Sequence, residues 1–262
     1  MSLLSWIIIF SLLGGLLSVI VAASFLLLPA HLRKTLVPHL VSFAIGSLLG
    51  AAFLGLLPHA LAGPGVDDFH NIFLAVLLGL LSFFLLEKLV LWRHCHVDHC
   101  EAHAPHDPHH KDTEAAAGWM ILVGDGMHNL VDGVLIAAAF MTDIHLGIVT
   151  ALAIAAHEIP QEVGDFVVLL HSGFSRRKAL LFNVLSSLAT IVGALLAYWS
   201  LGDMQHLLPY VLAVAASSFI YIAVADLIPG LHKRAEASAT LQQVVLIAAG
   251  VSLIYVTHST LH

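Results

Sequence analysis

Charged residues are scarce in this chain of 262 residues, because Asp, Glu, Lys and Arg make up only 10% of it. A soluble domain carries about 25% charged residues, so this chain has too few to cover a water-facing surface. Cysteine is also scarce, since Cys95 and Cys100 are the only two and both lie in one His-rich segment. That pattern does not fit a disulfide framework and is more typical of a metal-binding tract. We expect no nucleic-acid partner.

Hydrophobic residues fill the sequence instead, at 59% of the chain, with a mean hydropathy of +0.95. A helix that spans the bilayer needs about 20 mostly apolar residues, so the length allows roughly eight spans with short connections. We predict an all-α polytopic membrane protein with eight transmembrane helices and the lipid bilayer as its surroundings. The apolar runs place these spans at approximately 3–28, 37–61, 71–92, 118–141, 146–171, 178–200, 206–229 and 240–258.

The basic residues are sorted between the connections. All ten lie in or beside the odd-numbered connections, and these are Arg33, Lys34, Lys88, Arg93, Lys111, Arg176, Arg177, Lys178, Lys233 and Arg234. Loops rich in Lys and Arg stay on the cytosolic side of a membrane. We therefore predict that both termini face outside and that the His-rich segment is cytosolic. In a bacterium the protein would be a multi-pass protein of the cell (inner) membrane.

Several ionisable and amide side chains lie inside the predicted spans: Asp125, His128, Asn129, Asp132, His157, Glu158, Gln161, Glu162, Asp165 and Asp226. An ionised group at the bilayer centre costs about 2.5–3.5 kcal/mol even on the mildest insertion scale. The clusters of the fourth and fifth spans fall near the middle of each, so they should meet at one membrane depth. Residues four apart share a helix face, which pairs His128 with Asp132 and Glu158 with Glu162.

Imidazole and carboxylate groups together form a ligand set for Zn²⁺, Fe²⁺ or Mn²⁺. A lone buried histidine in a helical bundle is more often a hydrogen-bond partner between helices, but this many groups at matched depth favour a metal site. Asn129 is a ligand or a hydrogen-bonding residue between helices. Asp125 and Asp165 can equally support a site or pair helices.

These motifs resemble those of the ZIP (Zrt/Irt-like) family of metal transporters. Residues 124–133, Gly-Asp-Gly-Met-His-Asn-Leu-Val-Asp-Gly, resemble its fourth-helix His-Asn-x-x-Asp-Gly motif, and residues 157–165, His-Glu-Ile-Pro-Gln-Glu-Val-Gly-Asp, resemble the fifth-helix His-Glu-x-Pro-His-Glu-x-Gly-Asp motif of one subfamily. Residues 56–60 and 221–229 look like the ends of its second and seventh helices. The resemblance implies a 3+2+3 inverted repeat, a metal centre between helices 4 and 5, metal movement toward the cytosol, and often a homodimer.

Two positions depart from the family pattern, because Gln161 replaces a histidine and Gly230 replaces a glutamate that commonly follows the seventh-helix proline. We therefore predict one principal metal site. Its main ligands are His128, Asp132, His157 and Glu158, while Asn129 and Gln161 are supporting residues and Glu162 is a replacement carboxylate. Zn²⁺ is the expected cargo, with Fe²⁺, Mn²⁺ and Cd²⁺ as alternatives that the ligand types do not separate.

The spans and motifs divide the chain into 1–92 (helices 1–3), 93–117 (a cytosolic His-rich loop), 118–171 (helices 4 and 5 with the site) and 172–262 (helices 6–8). Residues 94–110 hold seven His and two Cys, which favours a cytosolic metal buffer over a plain polar connection. Two rival functions remain, an intramembrane zinc-dependent hydrolase and a metal sensor without flux. We expect a transporter and not an enzyme, because position 161 lacks the second histidine of the zinc-protease His-Glu-x-x-His motif.

Overall fold

The computed structural model describes residues 1–97, 111–232 and 236–261, and the regular elements in those ranges are helices. Seven of them are long and apolar enough to cross a membrane, and the helix Ile144–His171, with Glu158, Glu162 and Asp165, adds an eighth long helix. The predicted all-α polytopic membrane fold is confirmed. The helices are α1 (Leu3–Phe25), α2 (His31–Leu61), α3 (Phe69–Val97), α4 (Lys111–Thr142), α5 (Ile144–His171), α6 (Arg176–Leu201), α7 (Gln205–Leu231) and α8 (Ala237–Leu261).

Three helices extend beyond the predicted spans into polar sequence. α3 continues to Val97, α4 begins at Lys111, and α2 already begins at His31. Hydropathy marks where a chain leaves the apolar layer, whereas a helix continues for as long as its residues favour it, and Lys, Arg and Glu do so. Much of the polar sequence assigned to the 93–117 loop is therefore helical, and the rest of the His-rich stretch, residues 98–110, lies outside the described residues.

The contacts between helices show that the bundle contains two related halves. α4 and α5 lie side by side at the centre; α6 packs along α4 and α1 along α5, while α8 packs along α2 and α7 along α3. Exchanging α1–α3 with α6–α8, and α4 with α5, maps each of these contacts onto another. Since successive spans run in opposite directions, the exchanged helices are antiparallel, which is the inverted 3+2+3 arrangement. The orientation of the bundle in the membrane stays a prediction.

Glycines allow two of these helix pairs to touch backbone to backbone. A Cβ atom on Gly133 of α4 would collide with the α6 backbone, and one on Gly193 of α6 would collide with the α4 backbone. Gly46 of α2 and Gly250 of α8 make the same reciprocal contact. Small residues promote helix association in membranes, where burial of apolar surface contributes little stabilisation. These glycines therefore set the close contact of α4 with α6 and of α2 with α8.

α2 and α7 share a wide turn at matching places in the repeat. A π-helical turn covers Ala51–Leu56 in α2 and Ile222–Leu227 in α7, just ahead of Pro58 and Pro229 respectively. Proline has no N–H and its ring crowds the preceding turn, and a wide turn relieves both problems without ending the helix. The same π-helical turn at matching positions of α2 and α7 supports the internal repeat.

Asp143 ends the connection between the two central helices and caps α5. Its Oδ1 accepts hydrogen bonds from the backbone N–H groups of His145 (2.8 Å) and Leu146 (2.9 Å). Partial burial acts to raise the pKa of Asp143, but these two N–H donors outweigh it and hold the pKa below its usual value. The cap fixes where α5 begins and therefore the register of α5 against α4.

Candidate metal centre

Four side chains from the two central helices converge on one point: His128 and Asp132 of α4, and His157 and Glu158 of α5. One ligand atom from each lies within 4.8 Å of the others. The i,i+4 spacing puts the α4 pair on one face, and α5 presents two adjacent residues to that face. These are the four side chains predicted from the sequence as the main ligands.

The distances within this four-residue cluster are short. His128 Nε2 lies 3.2 Å from His157 Nε2 and 3.3 Å from Glu158 Oε1. Asp132 Oδ2 lies 3.4 Å from His157 Nε2 and 3.8 Å from His128 Nε2. The side chains of Asp132, His157 and Glu158 are each 1% exposed, and that of His128 is 23% exposed. The cluster is therefore buried, with access through His128.

The hydrogen bonding leaves electron pairs directed at the centre of the cluster. His157 Nδ1 lies 3.1 Å from the Ala153 carbonyl oxygen, which only accepts, so Nδ1 carries the hydrogen and Nε2 presents a lone pair. Among the described residues, the oxygens of Asp132 and Glu158 receive no hydrogen bond, and they form ion pairs with the two imidazoles. Acceptors that converge in a buried space need a cation, which is either a proton on His128 or a metal ion.

Asn129 lies next to the cluster and is held by hydrogen bonds to its neighbours. Its Nδ2 donates to Asp125 Oδ1 (2.9 Å), and its Oδ1 accepts from Thr190 Oγ1 of α6 (2.8 Å). Ser186 of α6 donates in turn to Asp125 Oδ2. This network joins α4 to α6 and fixes the orientation of Asn129 next to His128, whereas the role of Asn129 at the metal site stays a prediction.

The two remaining predicted residues lie farther along α5. Glu162 is fully buried and is not one of the four residues of the cluster; its backbone carbonyl faces Asn183 of α6. Gln161 follows His157 by one helical turn and is half-buried. A role for either residue as a ligand of the principal site stays a prediction.

The contribution of α6 was not predicted from the sequence. Four polar residues in the middle of this helix are buried, and they are Asn183, Ser186, Ser187 and Thr190. Their spacing of i, i+3, i+4 and i+7 is that of one helix face. A polar stripe in an otherwise apolar span was the signal that could have identified this face as lining the site.

A match to a known family model identifies the protein family of this chain. The sequence model of the family described as "ZIP Zinc transporter" matches residues 2–258 of this chain. The chain belongs to the ZIP family. The resemblance inferred from the fourth- and fifth-helix motifs is confirmed, and the match extends over nearly all of the sequence.

Named relatives of this ZIP chain come from several animals. It is 31% identical to zinc transporter ZIP13 of Pongo abelii, over 84% of this chain and 65% of that protein. It is 41% identical to zinc transporter foi of Drosophila melanogaster, over 45% of this chain and 17% of the relative, and 40% identical to zinc transporter ZIP10 of Danio rerio, over 47% and 15%. The chain thus spans less than two thirds of the length of these relatives.

Proposed function

We propose that this ZIP chain carries divalent transition-metal ions across the membrane toward the cytosol, with Zn²⁺ as its main cargo. His128, Asp132, His157 and Glu158 are the proposed ligands, and their convergence in a buried centre carries the proposal. Each carboxylate at this depth costs about 2.5–3.5 kcal/mol unless it is compensated. A divalent cation compensates both carboxylates at once.

The spacing of the donor atoms suits zinc. Ligand atoms at about 2.0–2.1 Å from a tetrahedral Zn²⁺ lie roughly 3.3 Å from one another. The measured separations of His128 Nε2 from His157 Nε2 and Glu158 Oε1, and of His157 Nε2 from Asp132 Oδ2, are 3.2, 3.3 and 3.4 Å. The other three separations would have to shorten around the ion: two are 3.8 Å, and the one between the Asp132 and Glu158 oxygens is within 4.8 Å. Fe²⁺, Mn²⁺ and Cd²⁺ bind the same types of ligand, so the choice among these metals has to be measured by experiment.

Exposure along α4 supports release toward the cytosol. Val123 and Met127, on the side of the site where α4 begins, are 67% and 59% exposed, whereas residues 135–140 on the other side are buried. In α5 a Cβ atom on Gly164 would meet no atom within 4 Å, so other helices cover α4 and α5 less in this half of the bundle. The positive-inside rule predicts that α4 begins on the cytosolic side.

The same geometry argues against a hydrolase. A catalytic zinc keeps one position for water, with three protein ligands, whereas a closed set of four protein ligands is typical of binding without chemistry. Here four ligand groups face the centre, and the second histidine of the protease motif is replaced by Gln161. Assembly into a homodimer completes the proposal, as does location in the inner membrane if the chain is bacterial. The native mass of the protein in nanodiscs tests the homodimer.

Uptake of radioactive zinc into liposomes that contain the purified full chain tests the function. We expect uptake by the unaltered protein and none by His128→Ala or His157→Ala. His70→Ala is the matched control, since this histidine is exposed and lies at the start of α3, where it pairs with Asp68. Zinc binding without uptake would favour the sensor, and product release from lipid or peptide substrates would favour the hydrolase. Inhibition of zinc uptake by added Fe²⁺, Mn²⁺ or Cd²⁺ ranks these ions as transported substrates.

A further inference from the structure

A second group of buried polar side chains lies beside the proposed zinc site, on the side where α4 begins. Asp125 precedes Asn129 by one helical turn, and Glu162 follows Glu158 by one turn. Because α4 and α5 are antiparallel neighbours, both steps lead toward the same end of the bundle. Asp125 is 5% exposed and Glu162 is fully buried.

α6 brings the two carboxylates to one place. Asn183 Nδ2 lies 3.5 Å from the backbone oxygen of Glu162, and Ser186 donates to Asp125 Oδ2. Asn183 and Ser186 are three residues apart and share a face of α6. The contacts made by α6 therefore place Asp125, Glu162, Asn183 and Ser186 around one region between α4, α5 and α6, which we call the oxygen pocket.

Several acceptors of the oxygen pocket lack a donor. Both side-chain oxygens of Glu162 and the Oδ1 atom of Asn183 are buried and receive no hydrogen bond from the described residues. The sequence has no Lys or Arg between residues 112 and 175 or between 179 and 201, so no Lys or Arg side chain from α5, from α6 beyond Lys178 or from α4 beyond Lys111 can neutralise this pocket. Buried acceptors without donors are costly and indicate the place of a cation.

We propose that Asp125, Glu162, Asn183 and Ser186 form a second divalent-cation site, built only of oxygen donors, between the zinc site and the cytosol. Oxygen donors prefer hard cations such as Mn²⁺ and bind Zn²⁺ less tightly than a site with two imidazoles. An ion leaving the four-residue cluster would therefore move to a weaker site before release. The role in release rests on the proposed function, whereas the binding of a hard cation does not.

Manganese binding by the full chain in nanodiscs tests the oxygen pocket. The protein used is the His128→Ala/His157→Ala double variant, which lacks both imidazoles of the zinc site, and free Mn²⁺ is followed by electron paramagnetic resonance. We expect bound Mn²⁺, and we expect Glu162→Gln or Asp125→Asn to weaken its binding at least about tenfold. Glu87→Gln removes the same charge from α3, where Glu87 is exposed and accepts from Tyr221, and should leave binding unchanged.

Two results would overturn the inference: no bound Mn²⁺ in the double variant, or Mn²⁺ binding that Glu162→Gln and Asp125→Asn do not change. The second result would place the ion elsewhere, such as the His-rich segment, and leave the buried carboxylates to be neutralised by protons. Glu162→Asp keeps the carboxylate and should keep binding, which separates loss of a ligand from loss of the fold. Since none of these arms measures flux, wild-type transport without Mn²⁺ binding contradicts only this inference, and Mn²⁺ binding without transport contradicts only the proposed function.

Discussion

His128 and His157 lie 29 positions apart in the sequence, yet their Nε2 atoms are 3.2 Å apart across the contact between α4 and α5. Nδ1 of His157 is bonded to its own helix backbone, so its Nε2 lone pair faces the other imidazole. The two rings meet edge to face, with an interplanar angle of 87°. An approach of this kind is favourable when a cation or a proton lies between the nitrogen atoms, and a zinc ion fits the surrounding carboxylates as well.

Removing one carboxylate from the four-residue cluster should lower zinc affinity sharply. We expect Asp132→Ala to weaken zinc binding by at least about 100-fold, because even partners of ligands contribute 10- to 100-fold. Calorimetric titration of the purified protein measures this change. Asp226→Asn, an exposed carboxylate change in α7, serves as the control and should keep the affinity of the unaltered chain. Equal affinity in both variants would remove Asp132 from the ligand set.

The hydrogen bond from Thr190 to Asn129 should tune the site without belonging to it. Thr190→Val removes the donor to Asn129 Oδ1 while keeping the side-chain volume. We expect an affinity loss of about tenfold with unchanged stoichiometry. The matched control is Thr150→Val, because the Thr150 hydroxyl is buried in α5 without a hydrogen bond among the described residues. If Thr190→Val lost the ion altogether, Asn129 would be better described as a ligand.

The contact of α4 with α6 depends on Gly133. Gly133→Ala would place a Cβ atom against the Thr190 carbonyl, and overpacking of this kind costs about 1–3 kcal/mol. Gly124→Ala lies on the same helix with no atom within 4 Å of its Cβ position, and should be neutral or stabilise by up to about 1 kcal/mol. Thermal unfolding in detergent compares the two variants. Equal midpoints would show that the helices separate freely at this glycine.

The Asp143 cap should make the start of α5 sensitive to acid. Asp143→Ala removes both hydrogen bonds and should cost about 1 kcal/mol, whereas Asp143→Asn keeps a good cap and should cost less. The two N–H donors hold the pKa of Asp143 below its usual value against the opposing effect of burial, so the contribution of the charged form is present at neutral pH. It is lost as pH falls through the lowered pKa, below about 4.

Unfolding midpoints at pH 7 and pH 3 measure this effect. The difference between the unaltered chain and Asp143→Ala should be larger at pH 7. A difference that stays constant with pH would show that the carboxylate charge does not contribute to the cap.

The spans and the residues of the four-residue cluster were accessible from the sequence because each has a local signal. Apolar runs of about 20 residues have the length that crosses a bilayer as a helix, and the i,i+4 spacing puts His128 and Asp132 on one helix face. Helix ends were predicted less well, since α3 continues to Val97 beyond the apolar layer. The hydrogen bond from Thr190 to Asn129 joins residues 61 positions apart, and no local pattern specifies that pairing.

The sequence alone thus determined that the chain lies in a membrane, how many long helices it forms, and which two motifs bring their side chains together. All of these depend on composition and on helical period, which are local properties. Only the tertiary structure decided that Glu162 lies outside the four-residue cluster and faces α6. That outcome depends on how α5 is rotated against α4 and on how closely Gly133 and Gly193 let α6 approach. Rotation and distance between helices arise from packing along their whole length, so they are fixed only when the helices are assembled.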